Sequence, residues 1–301
     1  MLSGAPISIN CQSIGRVIMY IYLNGKFIKE ESSAIAYNDR GLLLADGLFE
    51  TLRVYDGSVF CLDQHYERLL SGCNVLGLPF LLTRQTLSAV LQELLEYNAL
   101  MDKNAVIRLT LTRGPGPRGL VPPEEICPTV LITALPLLSN APFPLKLHVS
   151  HIRRNEFSPL SNLKSLCYLD NILAKMDAIK NGADDGLILN TSGKVVCVSA
   201  GNIFFVNREN VVLTPPIKDG VLPGVTRGVV IAICKKNNMI LHECSLTLEE
   251  ALFCQEVFVT NSLVEIQSVM SINNTIINRV EMGGVTKIIK KLYREYPHKK
   301  S

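Results

Sequence analysis

The stretch Arg153-Arg154-Asn155-Glu156-Phe157-Ser158-Pro159-Leu160-Ser161-Asn162-Leu163-Lys164-Ser165-Leu166-Cys167-Tyr168-Leu169-Asp170-Asn171 opens as a polar loop containing Pro and Ser, and changes character at Lys164. From there Leu166, Leu169, Ile172, Leu173 and Met176 are spaced for one apolar helix face, which predicts a helix from Lys164 to Lys180. Lys164 is therefore expected at the mouth of a helix. Partial desolvation and the positive end of the helix dipole would both lower the pKa of an amine there. Such an amine attacks carbonyl carbon, which is the chemistry of a Schiff-base lysine. A lone lysine near a helix start is more often a solvated surface residue, so its surroundings decide the reading.

The 301 residues are 48% hydrophobic with a formal net charge of +3, enough for one large or two ordinary domains with a buried core. A small net charge spread along the chain gives no reason to invoke nucleic acid or membrane partners. No run approaches the ~20 continuous apolar residues of a membrane span. The nine cysteines include no C-x-x-C pair, and Cys197, Cys234 and Cys254 lie inside apolar runs. That pattern suits free thiols in a reducing cytoplasm better than a disulfide framework or a zinc site. Residues 1–18 lack a basic start followed by an apolar block, so they read as an N-terminal extension with Met19 a candidate start. The basic tail Arg294 to Lys300 reads as a solvated terminus.

Tyr20 to Leu23, Asn24-Gly25 and Lys26 to Ile28 read as a hairpin, since Asn-Gly readily supplies two positive φ angles. Asp46-Gly47-Leu48-Phe49-Glu50-Thr51-Leu52-Arg53 ends in a strand. Gln64 to Leu76 and Thr86 to Tyr97 carry amphipathic helix patterns. Ala105 to Thr112 and Thr129 to Leu135 read as strands separated by the loop Arg113-Gly114-Pro115-Gly116-Pro117-Arg118-Gly119. The prolines between Pro136 and Pro144 mark a linker at 137–144, dividing a small α/β domain (19–136) from a larger one (145–301).

Beyond the lysine, strand patterns lead through Cys197 to Ser199-Ala200-Gly201-Asn202-Ile203-Phe204-Phe205. Next comes Leu222-Pro223-Gly224-Val225-Thr226-Arg227, a glycine-ended loop that enters an apolar helix. A helix start of this kind offers free N–H groups and a positive dipole, a ready phosphate seat. An ordinary capped helix start is the alternative. The strand Glu256 to Val259 then ends in Thr260-Asn261-Ser262.

In this order, the arginine helix around His65-Tyr66-Glu67-Arg68-Leu69, the lysine segment, the Leu-Pro-Gly-Val-Thr-Arg loop and the Thr-Asn-Ser strand end resemble the class IV aminotransferase family. These are fold-type IV enzymes that use pyridoxal 5′-phosphate, and the resemblance spans about Met19 to Gly284. It implies a two-domain α/β fold with the cofactor between the domains, and a homodimer in which a partner loop completes each site. Lys164 would tether the cofactor and act as catalytic base. Arg68, Val225, Thr226, Asn261 and Ser262 would hold its phosphate, with Tyr168 and Cys197 around the ring. Arg113 and Arg118 would face substrate carboxylates.

Within the family the motifs look most like those of aminodeoxychorismate lyases, which release pyruvate and form 4-aminobenzoate for folate synthesis. An aminotransferase for D-amino or branched-chain amino acids is the alternative, and a non-catalytic cofactor-binding relative a further one. One position departs from the pattern. Cys197 stands where the family usually has a glutamate paired with the pyridine nitrogen, and a thiol is a weak hydrogen-bonding group. Unless another acid replaces the glutamate, a protonated ring nitrogen is less favoured: either the correspondence with the family motif slips here, the enzyme tolerates a weaker electron sink, or its activity is reduced or altered.

Overall fold

The computed structural model describes residues 19–137, 143–277 and 282–296. The N-terminal extension, most of the predicted linker and the end of the basic tail lie outside them. The first domain is a six-stranded sheet with β1 (Tyr20–Leu23), β2 (Lys26–Lys29), β3 (Gly47–Tyr55), β4 (Ser58–Val59), β5 (Ala105–Thr112) and β6 (Thr129–Pro136), in the order β2-β1-β6-β5-β3-β4. The β1–β2 hairpin turns on Asn24 and Gly25, both at positive φ. Short helix α1 (Arg40–Leu44) precedes β3, while α2 (Leu62–Leu76) and α3 (Arg84–Tyr97) pack against the sheet. The core is where the 3.6-residue and 2-residue patterns meet: Leu87, Leu91, Leu94 and Leu95 of α3 with Ile107, Leu109 and Leu111 of β5. Each buried leucine contributes about 2 kcal/mol of transfer free energy.

The second domain contains β7 (Leu145–Arg154), α4 (Leu169–Lys180), β8 (Asp185–Asn190), β9 (Val195–Val198), β10 (Gly201–Val206), β11 (Val212–Thr214), α5 (Val225–Lys236), β12 (Leu241–Glu243), α6 (Leu248–Leu252), β13 (Glu256–Asn261), β14 (Glu265–Ile272), β15 (Thr275–Ile276) and α7 (Gly284–Arg294). Its sheet runs β12-β11-β10-β13-β14-β7-β8-β9, and β9 also pairs with β10. Six strands thus close into a barrel, which removes their free edges. Leu147, Leu187, Val195, Ile203, Val257, Val259 and Val269 belong to one buried cluster within it. Strands β7 and β8 are parallel and joined through α4. Among the described residues no helix is long and apolar enough to cross a membrane.

The helix predicted from Lys164 begins only at Leu169. Before it the chain is extended and crosses to the other domain: Phe49 donates its N–H to the Lys164 carbonyl at 2.9 Å, and Leu166 donates to the Gly47 carbonyl at 3.0 Å. These backbone bonds hold the segment straight. A side chain at Gly47 would meet the Leu111 carbonyl oxygen at 2.3 Å, so the close approach needs glycine. The apolar face of α4 is also not buried. Ala174 and Ala178 pack inward, while Leu169 (73% exposed), Ile172, Leu173 and Met176 face outward.

Candidate active site

Lys164 lies where the two domains meet. Its Nζ is 4.3 Å from the centre of the Phe49 ring and 5.7 Å from that of Tyr168. Burial, reinforced by the Arg68 charge, lowers its pKa to about 8, against the opposing pull of Glu50. Because α4 starts further along the chain, the expected helix dipole is replaced by apolar burial and a neighbouring cation as the cause.

Arg68 comes from α2 and is locked by Glu50 of β3. Its Nε donates to Glu50 Oε1 at 2.8 Å and its Nη2 to Oε2 at 2.6 Å, while Nη1 reaches the Pro223 carbonyl at 3.1 Å. His65 Nδ1 lies 2.7 Å from Glu50 Oε2. Burial raises the Glu50 pKa, but Arg68 and His65 outweigh it and hold it at about 2. Burial also lowers the His65 pKa, so a neutral imidazole donates its Nδ1–H to the carboxylate.

The loop that Arg68 touches leads into α5. Its cap Gly224 is extended, and a side chain there would meet Asn202 Oδ1 at 2.0 Å. The first-turn N–H groups of Val225 and Thr226 have no intrahelical acceptor. At the end of β13 the Asn261 side chain shapes the turn. Its Nδ2 donates to the Ala200 carbonyl at 2.9 Å, and its Oδ1 accepts from the N–H groups of Leu263 and Val264. Thr260 Oγ1 is buried without a hydrogen-bond partner.

A cavity of about 310 Å³ gathers Arg68, Lys164, Tyr168, Cys197, Val225, Thr226, Asn261 and Ser262 on its walls. Arg113 and Arg118 are not there. Arg113 is buried and engaged with Asp46, its Nε 2.8 Å from Oδ2 and its Nη2 3.0 Å from Oδ1, and it also caps the Leu76 and Gly77 carbonyls at the end of α2. This ion pair occupies its guanidinium, and Arg113 is not on the wall of this chain's cavity where a substrate contact was expected. Arg118 sits exposed on its loop, away from this chain's cavity.

Three residues of the site escaped the sequence reading. Glu50 orients Arg68. Arg108, on the non-core face of β5, lines the cavity with its guanidinium carbon 4.0 Å from the Phe49 ring centre. Arg154 lines the same cavity and donates to Asn171 Oδ1 at 3.2 Å. For Glu50 and Arg108 the available signal was a charge in the middle of an alternating strand, which needs either a partner or a ligand.

These residues suit a phosphorylated pyridoxal. Arg68, α5 and the unpartnered Thr260 hydroxyl offer donors for an anion, and Lys164 is an amine with a lowered pKa. Arg68, Arg108, Arg154 and Lys164 share the cavity wall with no aspartate or glutamate among the described lining residues.

Comparison with known proteins agrees. The model of the family "Amino-transferase class IV" matches residues 47–272. The chain is 36% identical over 281 residues to a provisionally named branched-chain-amino-acid aminotransferase of Methanocaldococcus jannaschii, covering 92% of this chain and 96% of that one. It is 32% identical over 247 residues to the aminodeoxychorismate lyase of Bacillus subtilis, covering 82% and 84%. The crystal structure of the Escherichia coli branched-chain amino acid aminotransferase superposes with a TM-score of 0.88 at 25% identity, covering 93% and 95%. With the matching fold, and with Lys164 and the start of α5 on the wall of one interdomain cavity, the chain belongs to the class IV aminotransferase family and is an enzyme dependent on pyridoxal 5′-phosphate.

Proposed function

We propose that the protein is a 4-amino-4-deoxychorismate lyase, releasing pyruvate and forming 4-aminobenzoate for folate synthesis in the cytoplasm. The observation that carries this reading is the charge of the cavity. Arg108 and Arg154 stand with Arg68 and Lys164 on a wall without an acid, which suits a substrate bearing two carboxylates in addition to the cofactor phosphate. The likeness to the Bacillus subtilis lyase supports it.

When bound, pyridoxal phosphate supplies an aldehyde carbon for the substrate amine and a conjugated ring that accepts electrons. Arg68 and the start of α5 would hold the phosphate, and Arg108 would orient a carboxylate. Lys164, with a pKa of about 8, takes the proton from the ring carbon bearing the amine. The electrons of that C–H bond complete the aromatic ring as the neighbouring C–O bond breaks. Enolpyruvate leaves with the oxygen, gains a proton and becomes pyruvate, so no oxidant or second substrate is needed. The Tyr168 phenol, its pKa raised mainly by burial, stays protonated beside the ring.

The reading includes a homodimer. Leu42, Leu43, Leu120 and Val121 are exposed on and beside the α1 region, and Leu169, Ile172, Leu173 and Met176 on α4. The two groups adjoin, because the Cys167 thiol reaches the Ala45 carbonyl at the end of α1. An exposed apolar surface of this extent is typical of an interface. Arg118, beside Leu120 and Val121, would then serve the partner's cavity.

The test is 4-aminobenzoate formation from aminodeoxychorismate with pyridoxal phosphate and no keto acid, alongside a Lys164→Ala control. Product that depends on Lys164 supports the lyase; no product from a cofactor-loaded protein rejects it. The second reading is a branched-chain or D-amino acid aminotransferase, favoured by the 36% identity to the Methanocaldococcus jannaschii protein. Accumulation of pyridoxamine phosphate on mixing with such amino acids would select it.

A further inference from the structure

The cavity has two electrostatically distinct ends. Near Lys164 the charged neighbours are Arg68, Glu50 and Arg108. Near Cys197 they are Arg154 and Asp185. Tyr168, on the same cavity wall, feels both sets, Arg68 and Arg108 as well as Cys197 and Arg154. In pyridoxal the ring nitrogen is para to the carbon that carries the aldehyde. A ring tethered at Lys164 would therefore carry its nitrogen away from the lysine, and Cys197 and Arg154 are on the wall available to meet it.

Cys197 is firmly placed there. It pairs with Asn202 of β10 and Ile188 of β8, and it is 8% exposed. Arg154 shares the cavity wall with it, and the positive charge of its guanidinium acts on the thiol. The Arg154 Nε is buried without a partner. Asp185, the carboxylate on that side, accepts from Ser199 Oγ and from the Gly186 N–H, and it is not part of the cavity wall. A ring nitrogen at this end meets a thiol and a cation, with no carboxylate to accept a proton's hydrogen bond.

We propose that Cys197, backed by Arg154, holds the pyridine nitrogen of the bound cofactor unprotonated, with Arg154 donating to the sulfur and the S–H donating to the nitrogen lone pair. Protonating the nitrogen would put a second positive charge beside Arg154 in a buried site, which Coulomb repulsion and desolvation both oppose. Burial pushes the Cys197 thiol pKa up, so the sulfur keeps its proton for the nitrogen. The consequence is a weak electron sink. Such a sink favours reactions whose product gains stability on its own, as in forming an aromatic ring, over those that must store electrons on the cofactor. The inference rests on the cofactor alone and stands whichever reaction the enzyme performs.

The test reads the nitrogen directly. The full chain is loaded with cofactor carrying ¹⁵N in the ring, and its NMR signal is recorded at pH 7 without substrate. The expected signal is that of neutral pyridine, moving to the pyridinium position in Cys197→Glu, whose carboxylate can pair with N–H. A wild-type signal already at the pyridinium position overturns the proposal, as does a folded, loaded Cys197→Glu protein whose signal stays neutral. Should that variant fail to fold, Arg154→Gln decides. Removing the cation should raise the pH at which the nitrogen becomes protonated, and an unmoved titration overturns the proposal. The readout is independent of turnover, so it is separable from the lyase assay.

Discussion

Glu50 and Arg68 form a two-point ion pair, 2.8 and 2.6 Å long, between a strand and a helix of the first domain, at the edge of the cavity. The pair leaves Nη1 of Arg68 on the Pro223 carbonyl, so one carboxylate fixes the arginine and, through it, the loop that starts α5. Glu50→Gln should lower global stability by about 3 kcal/mol, because a buried charge loses its partner, and should weaken cofactor binding. Thermal melts and absorbance titrations with the cofactor check both. The Glu50 pKa sits near 2 rather than 4.5. Its contribution is therefore present above pH 4.5 and lost as the pH falls from there toward 2. Acid unfolding of the variant should lack that component.

Lys164 sets a second pH dependence. Its pKa is lowered from 10.5 to about 8, so the neutral amine that captures an aldehyde is already abundant at mildly alkaline pH. The rate of cofactor capture by the cofactor-free protein should rise about tenfold per pH unit below the pKa and level off near 8. An ordinary lysine would keep gaining speed toward 10.5. Stopped-flow absorbance across this range distinguishes the two, and Arg68→Met, which removes the second cause of the lowering, should move the plateau upward.

Chemistry that is local in the chain was readable. Pro223-Gly224-Val225-Thr226 states a helix start, and that start lines the cavity beside Lys164. What depends on register was not. Asp46 and Arg113 are far apart in sequence and meet because β3 pairs with β5, with Gly47 opposite Thr112, and no motif announces that register. The same pairing turns Arg108 away from the core flanked by Ile107 and Leu109. On α4 the spacing of Leu169, Ile172, Leu173 and Met176 correctly signalled a helix with an apolar face. It misled on where the helix starts and on what the face covers, since periodicity cannot distinguish a core from an exposed surface.

Arg108 lies over Phe49 and, of the side chains on the cavity wall, is placed to take a carboxylate. A charge-assisted hydrogen bond of about 1.5–3 kcal/mol corresponds to roughly a 10- to 100-fold change in binding. Arg108→Gln should raise KM by that factor for dicarboxylate substrates while leaving cofactor affinity near its original value. Equal losses for mono- and dicarboxylate amines would show that Arg108 supports the Phe49 wall and does not read the second carboxylate.

Leu173 tests the pairing of two chains. It is 46% exposed on α4, among Leu169, Ile172 and Met176, whereas Ala174 and Ala178 carry the packing onto the barrel. Placing a charge at Leu173 thus leaves the inward contacts intact, and the monomer should retain its helical signal. In a dimer that buries this face, Leu173→Glu removes about 2 kcal/mol of apolar burial. It also buries an unpaired carboxylate, at a cost of several kcal/mol more. Together these should weaken association at least ~100-fold. Sedimentation velocity should show the wild type at twice the chain mass and Leu173→Glu shifted to the single-chain mass at the same concentration. If Arg118 of one chain serves the cavity of the other, separation should also raise KM, and Arg118→Gln in the intact dimer should reproduce that rise alone. A wild type that sediments as a single chain, or a Leu173→Glu protein that stays paired, would place the contact elsewhere or remove it.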